Sequence, residues 1–351
     1  MLRPCVVDTP RGGNGRGARL PRARGPLSGI VCNHLARAPH MLPAPVGFAG
    51  DALADDDLHL ALYICYELHY RGFAGVDEGW EWYPPLIALR ARLEWWFEAA
   101  LRRRLPEMSD VHDIAAALQA IVDVDDSPSV SAELAMTGTL SQYREFMVHR
   151  SAYQLKEADP HTWAIPRLDG LPKATLVGIQ AEEYGEGSLD RMHSVLFGRA
   201  MEAVGLDSGY GAYIDHIPGS TLATVNLMSL FGLHRRLRGA IVGHLAVFEM
   251  TSSGPNARYA EGLRRLGQSA AATRFYDEHV EADSVHETMA RHHLAAALAA
   301  AEPALAGDIL FGARALVEVE GRVARSLLGC WHDGRSSLLR PLAVTPLTSV
   351  E

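Results

Sequence analysis

The chain is poor in cysteine. Its four cysteines, Cys5, Cys32, Cys65 and Cys330, are scattered over 351 residues without CxxC or zinc-ribbon spacing. That argues against a disulfide framework and a thiolate metal site, and it fits a reducing, cytoplasmic setting. No apolar run approaches the roughly 18 residues that a membrane span needs, and the Arg/Gly/Pro-rich start lacks the apolar centre of a secretory signal. Strand-like alternation is nearly absent, as is any repeat of fixed period. Acidic residues outnumber basic ones outside the N-terminus. The net charge is -9, although Arg3, Arg11, Arg16, Arg19, Arg22, Arg24 and Arg37 face only Asp8 in the first forty residues. The rest of the chain is therefore strongly acidic, which argues against nucleic acid or an anionic membrane surface as partner.

What is present describes a folded helical protein. Apolar residues make up 48% and charged residues 21%, close to globular averages. Residues 1–45 read as a disordered tail, because Gly, Pro and Arg dominate and little can be buried. Residues 46–128 read as an N-terminal helical segment, with helices over about 58–71, 86–105 and 111–122 and with Pro84-Pro85 as a break. Residues 129–335 read as the main bundle, with helices near 133–158, 172–184, 189–204, 221–252, 256–267, 272–300 and 303–330, followed by a tail over 336–351. The expected fold class is all-α, apolar helix faces packing around one core.

Polar residues on otherwise apolar helices are the candidate functional groups. In His279-Val-Glu-Ala-Asp283-Ser-Val-His286, offsets of four and seven return to one helix face, so two imidazoles and a carboxylate project together. That ligand mixture suits non-haem iron with open positions. Glu249 shares its face with Val242, Leu245 and Ala246. Its buried carboxylate must protonate, pair with a cation such as Arg235, or bind a metal. Glu157 ends a helix beside Phe146, Arg150 and Tyr153. Glu183 ends the next one, and His193 opens another. An unbroken helix would hold those two apart, so Gly185 and Gly187 must bend the chain for them to meet.

The ordered set Glu157, Glu183, His193, Glu249, His279, Asp283, His286 resembles the haem-oxygenase-like di-iron oxidases and oxygenases, also called iron-containing redox enzymes. The phrases that carry it are Lys156-Glu-Ala-Asp-Pro-His161, Glu183-Tyr-Gly-Glu-Gly187, Arg191-Met-His193, His244-Leu-Ala-Val-Phe-Glu-Met-Thr-Ser-Ser253 and His279-Val-Glu-Ala-Asp-Ser-Val-His-Glu287, across roughly residues 130–330. The resemblance implies a haem-oxygenase-like seven-helix bundle, with the N-terminal helices as an addition. It implies that Glu157, His193, Glu249, His279, Asp283 and His286 hold metal, and that Glu183 is the additional carboxylate of the N-oxygenating branch. Seven donors exceed what one first-row ion accommodates, whereas two ions sharing a carboxylate can use them all.

The expected cofactor is two non-haem Fe(II) per chain with dioxygen as co-substrate. The expected activity is oxidation or oxygenation of a small molecule, with N-oxygenation of an amine or guanidine indicated by Glu183, the candidate catalytic residue. A reductant supplied by an external electron donor and a homodimer are both compatible with this reading. The chain ends soon after the bundle, leaving no room for the accessory domain fused to some relatives.

Desaturation or carbon–carbon cleavage of an amino acid or fatty acid is the alternative chemistry. A ferritin-like iron-handling protein and a non-catalytic helical partner-binding module are the alternatives of other classes. Haem would need only an axial histidine, leaving the carboxylates unexplained. His234, Arg235, Arg236 and Arg238 form either a solvated face or an attractor for an anionic substrate. Gly239 and Gly243 allow either close helix packing or space beside the metals, and His161, His244, His292 and His293 receive no role.

Overall fold

A computed structural model describes residues 17–43, 47–108 and 111–342, apart from the side chains of 281–285. It is all-helical. Among the described residues no strand forms, and one isolated bridge joins Ala18 to Phe73. The helices are α1 (Pro26–Leu35), α2 (Asp56–Glu67), α3 (Pro84–Arg104), α4 (Ile114–Asp123), α5 (Val130–Met136), α6 (Leu140–Gln154), α7 (Asp159–Thr162), α8 (Gly170–Glu183), α9 (His193–Ala203), α10 (Gly219–Leu233), α11 (Arg238–Met250), α12 (Ser253–Arg265), α13 (Ala270–Thr288), α14 (Ala297–Ala301) and α15 (Ala306–His332). A π-helical stretch, Met289–Ala296, links α13 to α14.

Local chemistry sets most boundaries. The side chain of Asp55 accepts from the backbone N–H groups of Asp57 and Leu58 to start α2, and Asp113 and Ser129 do the same for α4 and α5, each satisfying an orphan donor of the first turn. The single helix expected over 133–158 is two, because Thr139 and Gln142 form a capping box that starts α6. The helix expected over 221–252 also divides. His234 is extended, at φ -104° and ψ 113°, and ends α10 before α11 begins.

Residues 26–35 differ from the disordered tail that composition suggested. They form α1, with Leu27, Val31 and Leu35 on one buried face. Asp57 of α2 supplies the cap, accepting from Leu27 N at 2.7 Å and Ser28 N at 2.8 Å. The partner thus lies far along the chain, where composition cannot show it.

Three members of the basic cluster have acidic partners. His234 contacts Glu94 at 2.9 Å, Arg236 binds both oxygens of Glu98, and Arg238 pairs with Glu302. Arg235 is exposed and is not the partner of Glu249. Gly243 and Gly312 set the α11–α15 crossing. A Cβ on Gly243 would lie 1.8 Å from the Ile309 carbonyl oxygen, and one on Gly312 would lie 1.9 Å from that of Ala240. Close backbone approach therefore accounts for Gly243, and the crossing fixes the helix that carries Glu249.

No single helix among the described residues is long and apolar enough to cross a membrane.

Candidate metal centre

Five helical segments bring buried donors to one place. Glu157 lies just past α6, Glu183 ends α8, His193 opens α9, Glu249 lies near the end of α11, and His279 and His286 lie on α13. All six are buried. The side chain of Asp283 lies outside the described residues, although its backbone belongs to α13.

The turn after α6 aims Glu157 inward. Ala158 adopts φ 76°, a left-handed conformation uncommon for a residue with a Cβ. Its carbonyl is held by Gln180 Nε2 at 2.7 Å and by Thr162 N at 3.1 Å. Such a conformation persists only where surrounding bonds determine it. The turn after α8 works as the glycines suggested. Gly185, Glu186 and Gly187 all have positive φ, at 64°, 52° and 79°, and a Cβ on Gly185 would come within 2.5 Å of Met192 N. The reversal brings His193 Nδ1 to 2.7 Å from Glu183 Oε2.

The donor atoms form two groups. Glu157, Glu183, His193 and His279 make one and Glu183, Glu249 and His286 the other, each with its donor atoms within 4.8 Å of one another. Glu183 belongs to both. Nε2 of His279 is 3.5 Å from Glu157 Oε1, and Nδ1 of His286 lies 3.5 Å from Glu249 Oε2 and 3.9 Å from Glu183 Oε1.

Four of the donor atoms make no well-formed hydrogen bond. Glu157 Oε2, Glu183 Oε2, His193 Nδ1 and His286 Nδ1 are buried without a hydrogen-bond partner. Unpaired buried polar atoms are costly, and the groups that converge here could hold a cation. The electrostatics agree. Burial pushes the carboxyl groups of Glu157, Glu183 and Glu249 above their ordinary range, while burial and the neighbouring His279 push His193 down to about 4. Burial also opposes protonation of His286, but Glu249, Glu183 and Glu182 outweigh it and hold its pKa up at about 9. The cluster is short of positive charge.

Two histidines are oriented from behind. Nδ1 of His279 donates to the Phe275 carbonyl at 2.8 Å, because a carbonyl can only accept, and so Nε2 carries the lone pair that faces Glu157. Nε2 of His286 donates in the same way to Glu182 at 2.7 Å, leaving Nδ1 toward Glu183 and Glu249. Backing of this kind fixes the tautomer and ring direction of metal-binding histidines. Glu182 was missed in the sequence, where nothing but its place beside Glu183 distinguishes it from a surface glutamate.

A cavity of about 320 Å³ leads from the exposed residues Asp125, Pro128 and Ser129 down to Glu157 and His279. Phe146, Phe248, Tyr259 and Tyr276 give it aromatic walls. Arg150 and Glu320 form an ion pair at 3.0 Å within its lining.

Residues 144–321 match the iron-containing redox enzyme family, a span that holds every candidate ligand. The chain belongs to that family. It is also similar to the nitrosourea synthase of Streptomyces achromogenes subsp. streptozoticus, at 28% identity over 170 residues, 48% of this chain and 36% of that protein. The likeness thus spans little more than a third of the relative's length.

Proposed function

We propose that this iron-containing redox enzyme is a non-haem di-iron oxidase or oxygenase that uses dioxygen to oxidise a small substrate. The observation that carries the proposal is the pair of donor groups sharing Glu183. Four carboxylates, with Asp283 as the fourth, balance two divalent ions. Glu157, His193 and His279 would serve one ion, Glu249 and His286 the other, and Glu183 would bridge them. When bound, such a metal pair supplies the redox chemistry with dioxygen that no side chain can perform.

The chain's own residues position and enclose the reaction. The cavity volume suits a small organic molecule, and its aromatic walls would exclude bulk water from the end near Glu157 and His279. Gln154 Oε1 and the Tyr276 hydroxyl line that cavity, buried and without hydrogen-bond partners. Together they could receive the N–H and acceptor groups of a nitrogenous substrate. N-oxygenation of an amine or guanidine is the reading we favour, supported by Glu183 as an extra anionic ligand and by the likeness to nitrosourea synthase.

Anaerobic titration should take up about two Fe(II) per chain, and the loaded protein should consume dioxygen with an amine or guanidine and return a product heavier by oxygen on nitrogen. Saturation at one iron, or haem uptake instead, would remove the di-iron reading. A product oxidised only on carbon would remove N-oxygenation and leave the metal assignment standing.

A further inference from the structure

Buried histidines outside the donor set lie in a line that ends beside the candidate metal centre. His149, His161 and His244 are all buried. Nε2 of His161 faces Nδ1 of His244 at 3.2 Å. On the inner side, His161 lines a cavity of about 10 Å³ together with Glu157, Glu183, Glu249 and His279. On the outer side, His244 lines a second cavity of about 20 Å³ with His149, Arg150, Thr221 and Glu320. That volume is enough for one water molecule, with His149, Arg150, Thr221 and Glu320 as polar neighbours. From there, Thr221 Oγ1 is 2.7 Å from His149 Nδ1, His149 Nε2 is 3.0 Å from Ser337 Oγ, and Ser337 Oγ is 2.7 Å from Glu145 Oε2. Glu145 and Ser337 are part-exposed, so the line ends near solvent.

We propose that His244 and His161 are proton-relay residues, passing protons from the water-sized cavity beside Thr221 and His149 into the metal centre. The inference rests on the dioxygen-dependent reading above, since reducing dioxygen consumes protons that a buried site must import. The substrate cavity meets the centre at Glu157 and His279, so a bound substrate would block solvent there. The histidine line starts from a cavity that shares His149, Arg150 and Glu320 with the substrate cavity, but it enters the centre through His161, which does not line the substrate cavity.

The step is a pure proton transfer. A proton arrives at Nε2 of His244, the proton on its Nδ1 moves to Nε2 of His161, and the proton on Nδ1 of His161 leaves toward the ligand cavity. Each ring gains one proton and loses one, no electron moves, and reversal of the tautomers resets the pair. Burial favours this by keeping the rings neutral. It pushes His149 down to about 4 and His161 to about 3, and burial with His161 nearby takes His244 well below its ordinary value. A neutral imidazole carries both a donor and a lone pair, so it passes a proton on without trapping it.

The test uses the full chain with His244→Asn and, separately, Thr221→Val. Asparagine keeps a hydrogen-bonding side chain but no ring through which a proton can pass, and valine keeps the shape of threonine without its hydroxyl. In metal-free protein labelled with nitrogen-15 at histidine, exchange of the His161 ring N–H with water is measured by NMR. In iron-loaded protein, substrate-dependent dioxygen uptake is measured in H2O and D2O. Both exchange and uptake should fall by about tenfold or more, the scale on which positioned proton transfer acts, with a larger solvent isotope effect and unchanged iron stoichiometry. Unchanged His161 exchange in both variants would overturn the relay, and so would wild-type uptake with a wild-type isotope effect. Should the loaded wild type consume no dioxygen, the functional reading fails, and the exchange measurement alone then decides whether the line conducts protons.

Discussion

Lys156 and Glu157 are neighbours in the chain and are both buried, yet they face opposite environments. Lys156 Nζ lies 2.9 Å from Glu67 Oε2, and it sits 4.0 Å from the ring centre of Tyr70 and 5.3 Å from that of Tyr63. Glu67 also accepts from the Tyr210 hydroxyl at 2.7 Å. Every charge in that pocket is answered within the chain. Glu157 instead turns toward Glu183, His193 and His279 and keeps Oε2 without a partner. A buried charge with its counter-ion in place holds a fold together, whereas a buried cluster short of positive charge is arranged for a cation that arrives from outside.

Removing one member of each set should separate the two roles. Lys156→Met leaves Glu67 buried and uncompensated, and should cost about 3–5 kcal/mol of stability, the usual consequence of breaking a buried pair. Denaturant unfolding of the metal-free protein measures it. Glu157→Gln in the same assay should cost far less or even stabilise, because it removes unpaired charge. A Glu157→Gln loss as large as that of Lys156→Met would erase the distinction.

Next in size is the partner of His286. Glu182→Ala should weaken iron binding by about 10–100-fold, the range seen when a group that orients a metal ligand is lost, while the metal-free protein unfolds as before. Anaerobic titration and melting read the two quantities separately.

The pH dependence of the metal-free protein sharpens the comparison further. His286 is held at about 9 in the folded chain against an ordinary value of 6.5. Its contribution is therefore complete below pH 6.5 and is lost as pH rises through 9. The raised carboxyl groups of Glu157, Glu183 and Glu249 act in the same direction. Metal-free protein should lose stability between those limits, and iron should abolish the loss, since a bound metal replaces the proton. A flat profile without metal would contradict the account. The smallest effect belongs to the surface. Arg236→Ala, breaking a half-exposed pair with Glu98, should change stability by less than about 1 kcal/mol.

The residues that the sequence made legible are those whose neighbours are local. The shared helix face of His279 and His286 follows from their spacing, and the reversal between Glu183 and His193 follows from Gly185 and Gly187. Glu249 stands out because its helix face is otherwise apolar. What stayed hidden depends on groups far along the chain. The order of α1 rests on Asp57, and the direction of His286 rests on Glu182, which no pattern separates from Glu183. The choice between packing and substrate space at Gly243 required the position of Ile309. His149, His161 and His244 lie on three helices, and only the tertiary structure aligns them.

The proposal stands or falls on whether the buried donors hold two metal ions with Glu183 between them. Crystals loaded anaerobically with Fe(II) and measured at the iron absorption edge test it most directly. Two anomalous peaks are expected, one among Glu157, His193 and His279 and the other beside Glu249 and His286, with Glu183 contacting both. A single peak, or iron bound away from Glu183, would contradict the proposal.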